Sequence, residues 1–332
     1  MWENEDPKSA MTPMTLEGLD EDSEHFDEVV LSTVEIDHFC SSSHWVLPAA
    51  QALIPDRQPW IWRGRPGYIT MMRGRHPEGW HYLENMESMW QLGCPLVGED
   101  RVGLAEAFYT LCSRLEAEWD LILLGGIVPN SPTFDCLLQL MLPRYQVRIG
   151  SSMKRHCASL EGGVDGFVSR RSRKFRANLR RAQRRADGVG LTFENADGAR
   201  PTEVYERMLR IEVESWKGLN GVGIDTGRMR SFYARMVQRL SAAGAMRVTF
   251  AQVEGQDAAY ILGGVFGETF RGLQFSYLER HRDLSLGNLL QLAMIERLFE
   301  QGISNYDLGS DIDYKKKWGE SGLKTQTMVI FR

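Results

Sequence analysis

The chain has 332 residues, of which 43% are hydrophobic and 25% charged, a composition that predicts a soluble globular protein with two domains or one large one. The net charge of −5 is uneven, because residues 1–30 carry ten acids against one lysine and the remainder is mildly basic at +4. Apolar runs such as residues 121–128 fall well short of the ~20 residues of a membrane-spanning helix, so we expect no membrane span.

The acidic segment at the start predicts a solvated, disordered tail over residues 1–28, because like charges and few apolar residues cannot offset the ordering entropy. An autoinhibitory or docking role for this tail is an alternative. The segment lacks the apolar core of a signal peptide, so we expect a cytoplasmic protein.

The cysteines and histidines show no pattern of a disulfide framework or a metal site. The five cysteines are widely spaced without a Cys-x-x-Cys pair, and the seven histidines have no ligand spacing. We therefore expect free, buried thiols and no metal.

Residues 29–160 alternate between strand and helix patterns, which predicts an α/β domain. Strands over residues 60–63 and 68–72 flank a Gly-Arg-Pro-Gly turn and form a hairpin. A helix follows over residues 102–119, then a buried strand over 121–124, and a second helix begins at Pro132 with Ser131 as its cap. A strand over residues 145–149 completes this half.

A basic helix is predicted near the start of the second half, over residues 169–185. It carries nine arginine and lysine side chains and no acid, with an apolar stripe on one face. Two interpretations stay open: a solvated helix whose arginines lie along the surface, or a surface that attracts a polyanion such as a nucleotide cofactor, tRNA or an acidic peptide.

The elements after this helix follow a regular order. We expect a strand at 191–194, helices from Pro201 to about residue 216 and over 225–242, three strands at 246–253, 260–266 and 269–277, a long helix, a strand at 305–308 and a final strand at 325–331. The long helix begins through the small-residue turn around Ser285, and the free N–H groups of such a helix start favour an anionic ligand.

Five short motifs occur in this half: KFRANLRRA at 174–182, SWK at 215–217, SLG at 285–287, YDLG at 306–309 and YK at 314–315. Together with the element order they resemble the BioF2-like or CelD-like acetyltransferase domain of the GNAT superfamily, which is related to Fem-type peptidoglycan bridge ligases. The resemblance implies tandem GNAT-like domains with a mixed, mostly antiparallel sheet flanked by helices. Residues 29–160 would be a degenerate first domain, and residues 161–332 the acyltransferase domain.

The resemblance also implies a donor site and a reacting corner. The donor loop comprises Arg282, Ser285, Leu286, Gly287 and Asn288, and it resembles the GNAT pyrophosphate loop with Ser285 in place of the first glycine. The implied co-substrate is acyl-CoA, with an acyl-carrier protein or aminoacyl-tRNA as further possibilities. The alternative for Ser285 is a plain helix cap.

At the reacting corner, Tyr314 and Lys315 occupy the position of the Phe-Lys pair of Fem-type ligases. A lysine ammonium there suits the stabilisation of an oxyanion, whereas the alternative is a solvated basic turn. Base catalysis stays open among five carboxylates, Asp307, Asp311, Asp313, Glu212 and Glu214. Trp216, Glu214 and Asp307 are the predicted contacts to the acceptor.

The predicted function is therefore N-acyl transfer from acyl-CoA or an acyl-carrier thioester to an amine of a small molecule, sugar or peptide. A Fem-type ligase that uses aminoacyl-tRNA is one alternative, and a non-catalytic GNAT-like binding module is another.

Overall fold

The computed structural model describes residues 11–332, which fold into two compact units. Unit 1 comprises the chain up to Met153 together with Leu323–Arg332, and unit 2 comprises Lys154–Gly322. The predicted division at residue 160 therefore differs from the observed one, and the last strand belongs to unit 1. That unit 1 is a degenerate GNAT-like domain stays a prediction.

Unit 1 contains a mostly antiparallel sheet with helices against it. Its elements are β1 (Met11–Met14), α1 (Leu16–Glu21), α2 (Ser23–Ser32), α3 (His38–Ser41), α4 (Ser43–Leu53), β2 (Gln58–Gly64), β3 (Gly67–Arg75), β4 (His81–Asn85), β5 (Leu96–Val97), α5 (Arg101–Arg114), β6 (Leu121–Ile127), α6 (Pro132–Met141) and the first part of β7 (Gln146–Ser159). The strands β1, β2, β3 and β4 pair in sequence, β4 pairs with β6 in parallel, and the C-terminal strand pairs with β6. The predicted hairpin and the Ser131 cap are confirmed, since Ser131 Oγ accepts the N–H of Phe134.

The segment from Met11 to Glu28 is folded, which corrects the expectation of a disordered tail for this part. Leu19, Phe26 and Val30 are fully buried along one side of α1 and α2, while the acids lie mostly on the other. Tyr68 also donates a hydrogen bond of 2.5 Å to Asp22. This amphipathic burial outweighs the repulsion between like charges. Residues 1–10, where the tail prediction also falls, lie outside the described residues.

Unit 2 follows the predicted order of elements. It contains α7 (Gly163–Ser169), α8 (Arg173–Asp187), β8 (Thr192–Asn195), α9 (Pro201–Val213), α10 (Trp216–Leu219), α11 (Gly227–Ala242), β9 (Met246–Val253), β10 (Gln256–Phe266), β11 (Thr269–Tyr277), α12 (Leu286–Glu300), β12 (Asn305–Ser310) and the start of β13 (Glu320–Phe331). The strands β8, β9, β10 and β11 form an antiparallel meander, β12 pairs with β11 in parallel, and the end of β7 pairs with β12. The predicted fold class, a mixed and mostly antiparallel sheet flanked by helices, is confirmed.

Helix α12 packs against β9, β10 and β11 with a core of apolar side chains. Leu290, Met294, Ile295 and Leu298 on this helix are fully buried, so its position on the sheet is fixed by burial. In the part of the chain that the structure covers, no helix is both long and apolar enough to cross a bilayer. Residues 11–332 likewise contain no cluster of three or more His, Cys, Asp or Glu that could hold a metal.

Candidate functional site

The central strands of unit 2 separate at one point. β11 and β12 pair through three residues each, ending at Arg271 opposite Asp307, after which β11 continues to Tyr277 and β12 to Ser310. Backbone groups beyond this point are not satisfied by the neighbouring strand and are available to a ligand or to side chains. The opening between the two strands is the place where the predicted reacting corner lies.

A buried ion pair closes the base of this opening. Arg271 Nη1 lies 2.6 Å from Asp307 Oδ2, and the two side chains are only 4% and 11% exposed. The other oxygen of Asp307 accepts the N–H of Gly309 at 2.7 Å. Both oxygens of Asp307 are therefore engaged, and this carboxylate positions Arg271 and the β12 backbone.

Lys315 reaches into the opening from the 3₁₀ helix Lys315–Lys317. Its Nζ lies 3.3 Å from the point that a Cβ at Gly309 would occupy, and Arg271 Nη2 lies 3.5 Å from the same point. Gly309 has φ of +84°, a conformation that glycine adopts without strain. A side chain at this position would take the space between the two cations.

The Lys315 ammonium has no hydrogen-bond or ion-pair partner among residues 11–332. Burial lowers its pKa to about 8, and the nearby charges of Arg271 and Lys217 act in the same direction, while Asp307 opposes them. At neutral pH a group with this pKa is still mostly protonated. Lys315 is therefore an unpaired cation that faces a second cation, an arrangement that favours an anion between them.

Lys217, at the start of α10, lies on the other side of the opening. Its Nζ donates a hydrogen bond of 2.6 Å to the backbone oxygen of Phe275, in the part of β11 that β12 does not pair. Burial lowers the pKa of Lys217, and Glu212 opposes this shift. Glu212 is fully buried and accepts hydrogen bonds from Tyr260 at 2.9 Å and from a glutamine amide at 3.1 Å.

Two aromatic rings connect the lysines. Tyr314 packs edge to face on Phe275 with ring centroids 6.0 Å apart, and Lys315 Nζ lies 5.9 Å from the Tyr314 centroid. Burial raises the pKa of Tyr314 to about 12, so its phenol is protonated at neutral pH and serves as a hydrogen-bond donor. The ring cannot act as the base in this state.

The start of α12 lies against the same aromatic pair. A Cβ at Gly287 would come within 2.8 Å of the Phe275 ring, so this glycine lets the first turn of α12 approach β11 closely. Leu286 is buried in the same turn. The predicted donor loop and the predicted reacting corner are thus separated by a single aromatic ring.

Ser285 differs from a plain helix cap. Its φ is +58°, a region that glycine favours, and its side chain makes no capping hydrogen bond. Instead, Ser285 Oγ accepts a hydrogen bond of 3.2 Å from Arg185 on α8. Arg282 is 69% exposed and pairs with Glu279 at 3.2 Å, so it is not held toward the loop, and its predicted role and those of Ser285 and Asn288 stay predictions.

Asp311 and Asp313 form ion pairs of their own. Asp311 lies 2.8 Å from His156 Nε2, and Asp313, which is 96% exposed, lies 2.8 Å from Lys316. These partners lower the pKa of both carboxyls, which makes them weaker bases. Their assignment as catalytic residues stays a prediction.

Glu214 and Trp216, predicted to contact the acceptor, lie at the surface. Trp216 is 46% exposed, and Glu214 pairs with Arg280 at 2.5 Å. Glu214 lines a separate open cavity of about 450 Å³, together with Arg207, Arg210, Gln252, Asp257 and Arg280. Neither Lys315 nor Tyr314 lines this cavity.

Two residues of the opening were missed as functional candidates. Lys217 belongs to the SWK motif, of which only Trp216 was predicted to contact the acceptor. Arg271 interrupts the apolar pattern of a predicted strand, and a charge at such a position signals a buried pair or a site.

Comparison with known proteins decides the family of unit 2. Residues 173–316 match a family model described as an acetyltransferase (GNAT) domain. The chain carries a GNAT domain. This match covers almost all of the resemblance drawn from the motifs, and it confirms both the suspected superfamily and the prediction of a GNAT-type transferase.

Solved structures share the fold of this chain over nearly all of its length. FemX is 12% identical, with 96% of each chain covered and a TM-score of 0.66. A conserved protein of unknown function from Bacteroides thetaiotaomicron is 14% identical, with 97% of this chain and 99% of that chain covered and a TM-score of 0.64. L-PGS from Bacillus licheniformis is 13% identical, with 93% and 91% covered and a TM-score of 0.57. No curated protein sequence matches the chain.

Proposed function

We propose that the GNAT domain transfers an acyl group from a phosphate-bearing thioester donor, acyl-CoA or an acyl-carrier protein, to an amine of a small molecule, sugar or peptide. The observation that carries this proposal is the unpaired Lys315 ammonium, which faces Arg271 across the space that the missing side chain of Gly309 leaves open. Attack of an amine on a thioester carbonyl places negative charge on the carbonyl oxygen, and a preorganised cation stabilises that charge most in a water-poor site.

The donor would lie along the start of α12. Its phosphate groups would meet the first-turn N–H groups and the positive end of the helix dipole, and its acyl end would pass Phe275 toward Lys315. Tyr314, protonated at neutral pH, would donate a second hydrogen bond at the same corner. The amine, in its neutral form, would attack the carbonyl carbon. The C–S bond would break as the tetrahedral intermediate collapses, and the released thiolate would take up the proton that the nitrogen loses.

Aminoacyl-tRNA is a second candidate donor, because the basic helix α8 contacts the α12 start through Arg185 and Ser285. The chemistry at Lys315 is the same for an ester carbonyl. FemX and L-PGS share the fold of the whole chain, which supports aminoacyl transfer as a candidate without selecting it. A non-catalytic binding module is the third candidate.

Intact-mass analysis tests these candidates together. The protein is incubated with a panel of amines and with acyl-CoA, an acyl-carrier thioester or charged tRNA in separate reactions. A mass increase by one acyl group with either thioester, insensitive to ribonuclease, supports the proposal. Product only with charged tRNA, abolished by ribonuclease, selects the second candidate. Acceptor binding without product from any donor contradicts acyl transfer.

A further inference from the structure

Helix α8 presents a face of basic side chains without carboxylate partners. Seven cations lie along it: Arg173, Lys174, Arg176, Arg180, Arg181, Arg184 and Arg185. All but Arg176 are exposed, and none of the seven pairs with an acid within residues 11–332. The side chains of this face contact neutral groups, as Arg185 does with Ser285. A solvated helix face normally mixes both signs of charge, so seven unpaired cations concentrate a positive potential.

The apolar side of α8 is already used. Ala182 and Ala186 pack against Leu289 of α12, and Leu191 packs on the same cluster. Phe175 packs edge to face on Trp318 with centroids 5.0 Å apart. No large exposed apolar side chain lies on α8 among the described residues.

The distribution of charged and apolar side chains on α8 favours one class of partner. Insertion into a membrane surface needs an apolar face turned to the lipid, and α8 has none to offer. A protein interface has an apolar core depleted in charge, whereas the solvent face of α8 is charged throughout. A phosphodiester backbone needs only cations along its length, and arginine binds phosphate with two parallel hydrogen bonds.

The size of the face exceeds what a nucleotide cofactor can use. Fifteen residues of α-helix extend roughly 22 Å, over which a duplex presents on the order of ten phosphates. We propose that α8 binds the phosphodiester backbone of an RNA stem. The choice of RNA over DNA rests on the second candidate of the proposed function, aminoacyl-tRNA, because α8 meets the donor loop at Ser285 and RNA is the nucleic acid that carries acyl groups as terminal esters.

The test compares two triple variants with the same change of charge. In the first, Arg180→Gln, Arg181→Gln and Arg184→Gln remove three cations of α8. In the matched control, Arg228→Gln, Arg230→Gln and Arg235→Gln remove three exposed cations of α11. Binding of a labelled RNA hairpin with a stem of about 16 base pairs is measured by fluorescence anisotropy between about 50 and 200 mM salt.

We expect the wild-type protein and the α11 variant to bind with the same steep salt dependence. The α8 variant should bind at least about tenfold more weakly near 100 mM salt, with a slope of log K against log salt reduced by about 2 to 3. Circular dichroism checks that both variants fold.

The inference would be overturned by no RNA binding by the wild-type protein at about 50 mM salt, by equal losses in the two variants, or by tighter binding of a DNA duplex than of the RNA. Vesicles of phosphatidylglycerol that bind through α8 as tightly as the RNA would also overturn it in favour of a lipid surface. RNA binding is measured without turnover, so a negative binding result does not count against acyl transfer. A negative result for acyl transfer likewise does not change the interpretation of the binding measurement.

Discussion

At the residue scale, the proposed chemistry depends on the surroundings of the Lys315 ammonium. Lys315 forms no ion pair with a carboxylate of residues 11–332, because the nearby Asp307 is occupied by Arg271 and by the Gly309 N–H. Burial and the facing cations bring the pKa of Lys315 down to about 8. The lysine is thus charged near neutral pH, while the cost of its desolvation is recovered when an anion binds beside it.

This pKa predicts the pH dependence of the reaction. Loss of the Lys315 proton above pH about 8 removes the stabilising charge, so kcat/KM should fall about tenfold per pH unit there. Lys315→Arg keeps its charge at high pH and should lack this alkaline limb, while Lys317→Ala should retain it. A rise of kcat/KM through pH about 8 that is present in the wild-type protein and absent from Lys315→Arg would instead identify Lys315 as a base.

A buried carboxyl in unit 1 predicts a separate effect of pH on stability. Glu87 is 2% exposed, and burial raises its pKa from 4.5 to about 7, against the lowering effect of the Trp90 and Leu92 N–H groups. Because the folded pKa is raised, the contribution of Glu87 is fully present below pH 4.5 and is lost as pH rises through about 7.

The free energy of unfolding should therefore fall by roughly 3 kcal/mol more in the wild-type protein than in Glu87→Gln between pH about 5 and 8. Chemical denaturation of unit 1 at several pH values measures the difference. Glu78→Gln, at a side chain that is 79% exposed, serves as the control. A difference between wild type and Glu87→Gln that does not change with pH would contradict the account.

At the element scale, local sequence patterns predicted most helices and strands of unit 2, but not the contacts that make the site. The turn before α12 was predicted from small residues, whereas the positive φ of Ser285 and its contact with Arg185 depend on α8, a hundred residues earlier in the chain. The point at which β11 and β12 separate could not be predicted either, because strand patterns do not show where the pairing of two strands ends. The folding of the segment from Met11 to Glu28 was not predicted, because a high density of acids indicates disorder even where an apolar stripe is present.

The close approach of α12 to β11 predicts that Gly287→Ala separates stability from activity. Alanine favours the helix by about 1 kcal/mol, but its Cβ would push the Phe275 ring, which holds Tyr314 and lies over Lys217. We expect a melting temperature close to that of wild type and acyl transfer reduced by about tenfold or more, since small displacements of reacting groups are costly. Unchanged transfer would show that Phe275 does not position the corner.

At the scale of the whole molecule, the last ten residues of the chain belong to unit 1, in which the chain also begins. Met328 and Ile330 of β13 are fully buried, and β13 pairs with β6 from Gln326 to Phe331. The sequence predicted a final strand but assigned it to the second domain, because strand patterns carry no information on a partner two hundred residues away. The order of elements and the five short motifs, in contrast, were sufficient to predict the GNAT domain.

This topology predicts that unit 1 fails without the last ten residues. A chain that ends at Gly322 lacks Leu323–Arg332 and should expose β6 and the core beneath it. We expect rapid proteolysis of unit 1 and loss of its unfolding transition. Met328→Asp should also destabilise unit 1, by several kcal/mol, because it places an unpaired charge in the core. Lys324→Asp, at an exposed position, should leave the stability of unit 1 unchanged. A truncated chain as resistant to protease as the wild-type protein would contradict the division into units.

The central claim, that Lys315 stabilises the oxyanion of acyl transfer, is tested most directly by the rates of two neighbouring variants with an accepted donor and amine. Lys315→Ala should lower kcat by about 100-fold or more at unchanged fold, since one oxyanion donor typically contributes that much. Lys317→Ala removes an exposed lysine of the same 3₁₀ helix. Its kcat should stay within about twofold of that of the wild-type protein, since the Lys317 side chain is directed to solvent. Lys315→Ala with kcat within about threefold of wild type would contradict the claim.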